Sequence, residues 1–581
     1  MVDFQWLIGG EAGYGIMTTG AMIGKIFTRL GLSVFDYTEY PSLIRGGHNA
    51  YYVRASDAPI FSQKMKVDIL VALNDYAVTR HMHELTENAA IIYDPTLVNM
   101  ENKNLPSGIV LVPVPLIEIA KKEANTMVMM NTVTIGASLA LVYDDYSILG
   151  DILQETFGKK GEKIIAENIN TSKAGFDHVK QSQLGKSPIS IAKKPQESLY
   201  VHGAEAVSFA AIKAGVKFAA IYPMTPTNGV LALLAANALK YNIVVKEPED
   251  EIAGINMAIG ASYAGVRSLC ATSGGGFALM SEGFGLAAQT EVPLVVIMGM
   301  RPGPATGMPT WTGQGDVRFV LHAAQDDFPR IILAPGDHLE AFDFTLRAFN
   351  LAEKYQLPVI VLVDKYLMEG HMTVSSAALS KLSDNYKIDR GKLLTDEETV
   401  AEQNYKRYQL TEDGISPRSI PGQKGGIALT GSDEHDEKGL YNEESENRTQ
   451  MMDKRFKKLE HAKSDIPQPS FYGWEDPVLT IISFGSNKLP IFEAMKWLHK
   501  EGININYLQV SFLSPFPDKE VEAVIKAAKK TLVIEANKTG QFEGLIREHT
   551  GLSVDHHYRK YDGRPFYPEE IIEKVRQILS T

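Results

Sequence analysis

"KFAAIYPMTPTNGVLALLAANALKY", residues 217–241, joins an apolar run to a helix-like run through a turn holding two prolines and two threonines. Proline fixes φ and ends regular structure, and Thr or Asn caps a following helix. The stretch therefore reads as a buried strand, a rigid hydroxyl-bearing turn and a helix. Loop punctuation alone would explain the nine residues "YPMTPTNGV". The neighbouring segments decide whether the turn does more.

The next segment, "EPEDEIAGINMAIGASYAGVR" (247–267), opens in acid and at once becomes small and apolar. Glu249 and Asp250 suit a first helical turn, where the helix dipole favours negative charge. Glu251 already stands among small residues, Ala253, Gly254, Ala258, Gly260 and Ala261, which let a ring or another backbone come close. A carboxylate held there could share its proton with a ligand nitrogen; a solvated N-terminal glutamate is the plainer alternative. "TSGGGFALMSEGFG" (272–285) is a second glycine-rich strand-to-helix loop. "MRPGPATGMPTWTGQGD" (300–316) carries one basic residue, Arg301, beside the hydroxyls of Thr306, Thr310 and Thr312. So polar a loop is expensive to order unless it binds something. One cation with hydroxyls suits a small carboxylate; pairing of Arg301 with Asp316 is the structural alternative.

Toward the N-terminus, "GGEAGYG" follows a strand-like "FQWLI" and precedes a helical pattern. Gly10, Gly13 and Gly15 miss the dinucleotide spacing G-x-G-x-x-G, which weighs against an NAD site; a phosphate or nucleotide contact at a helix N-terminus and a ligand-free tight turn are the stronger readings. "YPSLIRGGHNAYYVR" adds Arg45 and His48 on a turn before a strand. Short apolar runs alternating with helices recur along the chain and predict three successive α/β domains with largely parallel sheets. The expected divisions are 1–180, a linker at 181–198, a second domain at 199–380, a charged connector at 381–465 and a third domain at 466–581. The connector is dense in charge, with "TEDGISPRSIPG" and "GSDEHDEKG" as its punctuation.

Composition narrows the function. The 581 residues are 44% hydrophobic and 22% charged, with a net charge of −12. That balance disfavours a nucleic-acid partner, because phosphate binding wants clustered Lys and Arg. The single cysteine, Cys270, can form no internal disulfide and cannot hold an iron–sulfur cluster alone. No basic-then-apolar leader opens the sequence and no apolar run is long enough to span a bilayer, so a cytoplasmic address without membrane contact is expected.

Taken in order, these stretches resemble the α subunit of 2-oxoacid:ferredoxin oxidoreductases, in the form with a γ domain fused at the N-terminus. "YPMTPTNGV" is similar to the family's YPITPSS-type loop. "EDEIAGINMAIGASYAGVRSLCATSGGGFALMSEG" resembles its acidic helix and TSGPG-type loop, and "MRPGPATGMPTWTGQGD" its RGGPSTGLPT…D loop. "GGEAGYG" and "YPSLIRGGHN" fit the γ domain, and "IEANKTGQF" the C-terminal domain. Met224 replaces Ile, Thr227-Asn228 replaces a serine pair and Gly275 replaces Pro.

The resemblance implies that 199–380 is a thiamine-diphosphate pyrimidine-binding-type domain and 466–581 a transketolase C-terminal-like domain. It implies that Glu251 contacts N1′ of the aminopyrimidine, that Thr225 points at the substrate, and that Arg301, Thr225 and Thr306 hold the substrate carboxylate. Gly10, Gly13, Gly15, Arg45 and His48 would meet coenzyme A. The reaction implied is CoA-dependent oxidative decarboxylation of a 2-oxoacid to acyl-CoA and CO2, or its reverse, with electrons passed to ferredoxin. 2-Oxoglutarate is the expected substrate; pyruvate and branched 2-oxoacids are alternatives. A non-catalytic nucleotide- or CoA-binding module is the alternative of another class. The chain has no Gly-Asp-Gly…Asn segment for Mg²⁺ and the diphosphate, and it holds no metal of its own. Mg²⁺ and a [4Fe-4S] cluster are therefore expected on a β subunit, in an αβ pair or its double.

Overall fold

The computed structural model describes residues 2–43, 46–101, 103–182, 189–195, 198–402 and 404–580. Arg45 and part of the expected linker, 183–188 and 196–197, lie outside them. The chain forms two compact units: Met1–Val201 with Gly370–Ala377 and Tyr567–Glu573, and His202–Glu369 with Ala378–Phe566 and Lys574–Thr581.

The first unit is built on an eight-stranded sheet. Its order is Val110–Pro113, Leu85–Tyr93, Val67–Ala72, Asp3–Ala12, Gly46–Ser56, Ser33–Glu39, His371–Ser375 and Ser198–His202. The first four strands are parallel. Gly46–Ser56 then runs antiparallel to both of its neighbours. Alternating strands and helices thus give a parallel sheet only on one side; on the other, Gly46–Ser56 reverses the strand direction. Trp6, Ile8, Phe27, Val53, Ile69, Val133 and Leu149 belong to one buried core. The returning segment is tied in by Asp36. Its buried carboxylate accepts from the Tyr51 hydroxyl (2.6 Å) and from the Tyr200 hydroxyl, and pairs with His371 Nδ1 at 2.8 Å. Burial alone would raise that acid; His371 and the two phenols together hold it below the usual carboxylate range.

The second unit contains two sheets. The larger has the order Phe512–Ser514, Ile331–Leu333, Pro358–Asp364, Leu294–Met300, Ser268–Ser273, Phe218–Ala220 and Val244–Lys246. All its pairs are parallel except the one made by Phe512–Ser514. Leu294–Met300 and Pro358–Asp364 are buried at every residue, as expected for parallel strands covered on both faces. The smaller sheet runs Ser470–Tyr472, Ile505–Gln509, Leu479–Ser483, Thr531–Glu535 and His556–Arg559, with only the first strand antiparallel. One apolar core is continuous across both sheets, from Val296 and Ile360 to Ile482 and Val533. A polar seam joins them as well: Ser486 donates to Asp364 at 2.5 Å and Asn487 to the Gln314 side chain at 2.8 Å.

The charged 381–465 stretch is packed rather than extended. Its helix Ser445–Ala462 buries Met451, Lys454, Arg455, Lys458 and Ala462. Lys454 and Lys458 both donate to the fully buried Glu291, and Arg455 donates to Glu434 at 2.6 Å. No helix among the described residues is long and apolar enough to cross a membrane.

Candidate functional site

Three neighbouring strands of the larger sheet, Phe218–Ala220, Ser268–Ser273 and Leu294–Met300, end on the same edge. Their following loops are the three that sequence reading singled out. In open parallel sheets this carboxyl edge is where ligands bind. The 222–230 turn sits on the last of these strands. A Cβ added at Gly299 would lie 2.7 Å from Pro226 Cγ. The two threonines of the turn differ. Thr227 is buried and its hydroxyl donates to the Met224 carbonyl at 2.9 Å. Thr225 is half-buried, and its hydroxyl only accepts from the Asn228 amide at 3.3 Å.

Glu251 is the first residue of the helix Glu251–Tyr263. Asp250 caps that helix by accepting from the Ala253 N–H at 2.9 Å. Glu251 is only 2% exposed, and its Oε1 is buried without a hydrogen-bond partner. A buried carboxylate oxygen left unpaired is costly and calls for an explanation. Gly276 packs directly against it. A Cβ there would lie 2.4 Å from Glu251 Oε1 and 2.0 Å from Thr272 Oγ1, so only glycine fits. Gly275 faces open space. Two more buried oxygens nearby lack partners: Ser273 Oγ at the N-cap of the helix Gly274–Gln289, and Asp316 Oδ2. Asp316 lies over the start of that helix, about 3.0 Å from where a Cβ on Gly274 would be.

Arg301 leaves the last strand half-buried, and its Nη1 donates to the Thr225 carbonyl at 2.9 Å. Among the described residues it makes no ion pair, so the expected alternative of an Arg301–Asp316 pin is not the arrangement found. The charge of Arg301 still reaches Asp316. Burial pushes the Asp316 carboxyl up to about 6, and Arg301 opposes that rise. Thr306 is exposed, and its hydroxyl bonds to no described residue; Thr312 is buried and accepts from the Tyr366 N–H at 3.3 Å. Thr225, Glu251 and Arg301 thus share one edge, with Thr306 on the outer part of the third loop. Thr272, Ser273 and Asp316 complete the edge. The sequence names Asp316 only as a pairing partner for Arg301, and Thr272 and Ser273 only through their loop; the Thr-Ser before three glycines was the available signal. Cys270 is buried, and burial drives its thiol up to about 12, which leaves it inert. Among the described residues no cluster of three or more His, Cys, Asp or Glu could hold a metal ion.

In the first unit the glycine loop and residues 46–48, which open the strand Gly46–Ser56 and are not the expected turn, are brought together by strand pairing, Gly10 opposite Asn49 and Ala12 opposite Gly46. Gly15 is the N-cap of the helix Ile16–Arg29, with φ of 71°, and Gly13 has φ of 99°. Gly10 is buried, and a Cβ on it would meet Leu73 at 2.9 Å. His48 Nε2 lies 2.7 Å from His81 Nε2, and His81 Nδ1 lies 3.0 Å from Glu84 Oε1. If His81 donates to Glu84, it accepts from His48, and His48 Nδ1 is left as an acceptor. That nitrogen is buried without a partner. Burial, helped by His81 and Arg80, pulls His48 down to about 4, so it is a neutral imidazole near pH 7 and adds no cation.

The fold and this edge define first a class: an α/β protein with a buried acid and a glycine-rich turn at the carboxyl end of a parallel sheet. Comparison with known proteins makes the class specific. Residues 209–454 match the family model for pyruvate flavodoxin/ferredoxin oxidoreductase, thiamine diphosphate-binding. Residues 5–178 match pyruvate ferredoxin/flavodoxin oxidoreductase, and 479–571 match pyruvate:ferredoxin oxidoreductase core domain II. The chain is 34% identical to a 2-oxoacid:ferredoxin oxidoreductase subunit alpha from Sulfolobus sp, over 99% of this chain and 97% of that one. It is 33% identical to the 2-oxoglutarate synthase subunit KorA of Methanothermobacter thermautotrophicus, over 65% of this chain and 98% of the relative. It superposes with a TM-score of 0.91, at 33% identity and 99% coverage of both chains, on a 2-oxoglutarate:ferredoxin oxidoreductase from Magnetococcus marinus. That structure was solved with 2-oxoglutarate, coenzyme A and succinyl-CoA bound. The chain belongs to the family of 2-oxoacid:ferredoxin oxidoreductase α subunits, and so to an enzyme of more than one subunit.

Proposed function

We propose that this chain, with a β subunit, catalyses CoA-dependent oxidative decarboxylation of a 2-oxoacid, or the reverse carboxylation, with 2-oxoglutarate the favoured substrate. The observation that carries the reading is the unpartnered, buried Oε1 of Glu251, packed against Gly276 of the glycine-rich 274–276 turn. A thiamine diphosphate aminopyrimidine fits that chemistry, because its N1′ needs a buried acid to share a proton with. The thiazolium ring of the same cofactor would supply the electron sink for loss of CO2. Glu251 would hold or release the proton at N1′. Gly275 and Gly276 would let the ring approach. Arg301 and Thr225 would orient the substrate carboxylate, with Thr306 closing over it from the exposed part of its loop. The diphosphate, its Mg²⁺ and a [4Fe-4S] cluster would be held by the β subunit, with ferredoxin as the electron partner, in an αβ or (αβ)2 assembly in the cytoplasm.

In the γ-type N-terminal domain, coenzyme A would meet Gly10, Gly13 and Gly15 at the N-terminus of the helix Ile16–Arg29. His48 would offer its free Nδ1 as an acceptor, and Arg45 would supply the cation. The substrate preference rests on the relatives named for 2-oxoglutarate. The test is reduction of a viologen dye by the purified complex, offered 2-oxoglutarate, pyruvate and a branched 2-oxoacid in turn, with and without CoA. The expected result is CoA-dependent reduction with the highest kcat/KM for 2-oxoglutarate. Equal or better rates with pyruvate would overturn the substrate, and no reduction with any 2-oxoacid would overturn the activity.

A further inference from the structure

The "SPRSIPG" segment of the charged connector has no part in the chemistry above. It borders a cavity of about 230 Å³ in the second unit. Arg407 and Arg418 line that cavity, with Tyr263 and Pro293 as apolar wall and Ile427 at its rim. Both arginines are buried, at 4% and 3% exposure. Arg407 donates to the Gln356 side chain and the Glu291 carbonyl, both at 2.8 Å. Among the described residues the Arg418 side chain makes a single long contact, 3.3 Å to Glu353, which also serves Arg267 and Arg390, and its Nε is buried without a partner there. Gln423, also on the wall, is already committed to the Leu394 carbonyl and Asp396.

The wider charge balance points the same way. Arg267, Arg407, Arg418, Lys454, Arg455 and Lys458 are all buried, whereas the buried carboxylates around them are Glu291 and Glu353, with Glu434 partly exposed. Buried cations without matching anions are unfavourable, and they weaken one another's charged forms. Burial brings Arg418 down to about 10, helped by Arg407 and Arg390, and brings Lys458 to about 7.

We propose that this cavity is a binding site for a small oxyanion, a phosphate or a carboxylate, held by Arg418 and Arg407. Both side chains present guanidinium groups, which match the geometry of either anion. The volume suits a single small ion rather than a nucleotide or a chain segment. The anion would tie the 415–428 segment to the turn at 290–293. The connector would then be most firmly ordered when the site is filled.

The test is calorimetry on the assembled enzyme, with thiamine diphosphate, Mg²⁺ and coenzyme A saturating so that their phosphate subsites are filled. Inorganic phosphate and succinate are titrated separately, each against sodium chloride of matched ionic strength. Saturable heat with either anion is expected; the one that saturates identifies the source of the oxyanion. Arg418→Gln should raise the apparent Kd at least about tenfold. Arg418 also touches Glu353, so Ile427→Glu serves as a second variant. Ile427 is 88% exposed, and a carboxylate there would compete for the cavity without disturbing its walls. It too should weaken the anion at least about tenfold. Trypsin cleavage after the exposed Lys424 should slow in the wild type when the anion is added. Heats equal to the chloride control for both anions would overturn the proposal. So would wild-type affinity in either variant that folds.

Discussion

Glu251 and Glu291 are the same residue type in the same unit, both effectively removed from water. Their surroundings differ completely. Glu291 receives Lys454 at 2.6 and 2.8 Å and Lys458 beside it. Burial alone would raise its pKa, but Lys454, Lys458 and Arg407 hold it far below the usual carboxylate range. Glu251 has no cation paired with it among the described residues, and one of its oxygens has no partner at all. The first carboxylate is saturated by the fold and so serves the fold. The second is left unsaturated by the fold and so is open to a ligand. Burial alone does not separate the two roles; the count of partners does.

The comparison breaks most visibly in the variants. Glu251→Gln keeps the shape but cannot cycle a proton, so turnover of the assembled enzyme should fall by about 100-fold or more, with the melting temperature unchanged. Glu291→Gln should do the reverse. Leaving Lys454 and Lys458 buried without their carboxylate costs about 3–5 kcal/mol, seen as a lower melting temperature, while kcat of the folded fraction stays the same. Adding Lys458→Met to that variant should restore part of the loss, because one uncompensated charge is removed. A Glu251→Gln variant that melts early yet turns over normally would reverse the assignment.

Asp316 sharpens the contrast, because it too is buried with an unpartnered oxygen but carries a raised pKa of about 6. A carboxyl whose folded pKa lies above its unfolded value favours the folded state only while it is protonated. The cost of ionising it therefore grows from about pH 4 to pH 6 and is complete above that, at about 3 kcal/mol from the size of the shift. Asp316→Asn should stabilise the chain by up to that amount at pH 8 and by little at pH 4. Equal stabilisation at both values would show that Asp316 is not the titrating group. The smallest expected effect is at Arg301. Arg301→Lys should raise the KM for the oxoacid about tenfold, since Lys cannot supply the planar fork, and leave the melting temperature unchanged.

Much of this was legible in the sequence because the signals were local. The second unit shows fully apolar strand runs such as "VPLVVIMGM", and its loops are written in Gly, Pro and Thr. A helix start near Glu249 and Asp250 could be read from composition; the helix begins two residues later than that reading, with Asp250 as its cap and Glu251 as its first residue. What was not legible depends on residues far apart in the chain. "GGHNAYYVRAS" opens like a turn, yet becomes a central antiparallel strand because it reverses against both Asp3–Ala12 and Ser33–Glu39. The return of 371–375 to the first sheet rests on Asp36 and His371, which are 335 residues apart. The burial of Lys454, Arg455 and Lys458 was not legible, because lysine and arginine are seldom buried. The partner of the two lysines, Glu291, lies more than 160 residues earlier. His48 could be named but not its state, since His81 and Glu84 fix the tautomer only after folding.

The most direct measurement of the central claim is exchange of the C2 proton of thiamine diphosphate for deuterium, followed by quenched-flow NMR on the assembled enzyme. If the free oxygen of Glu251 works through N1′, Glu251→Gln should retain stoichiometric cofactor yet slow that exchange by at least about 100-fold. Stoichiometric cofactor exchanging at the wild-type rate in Glu251→Gln would contradict the account.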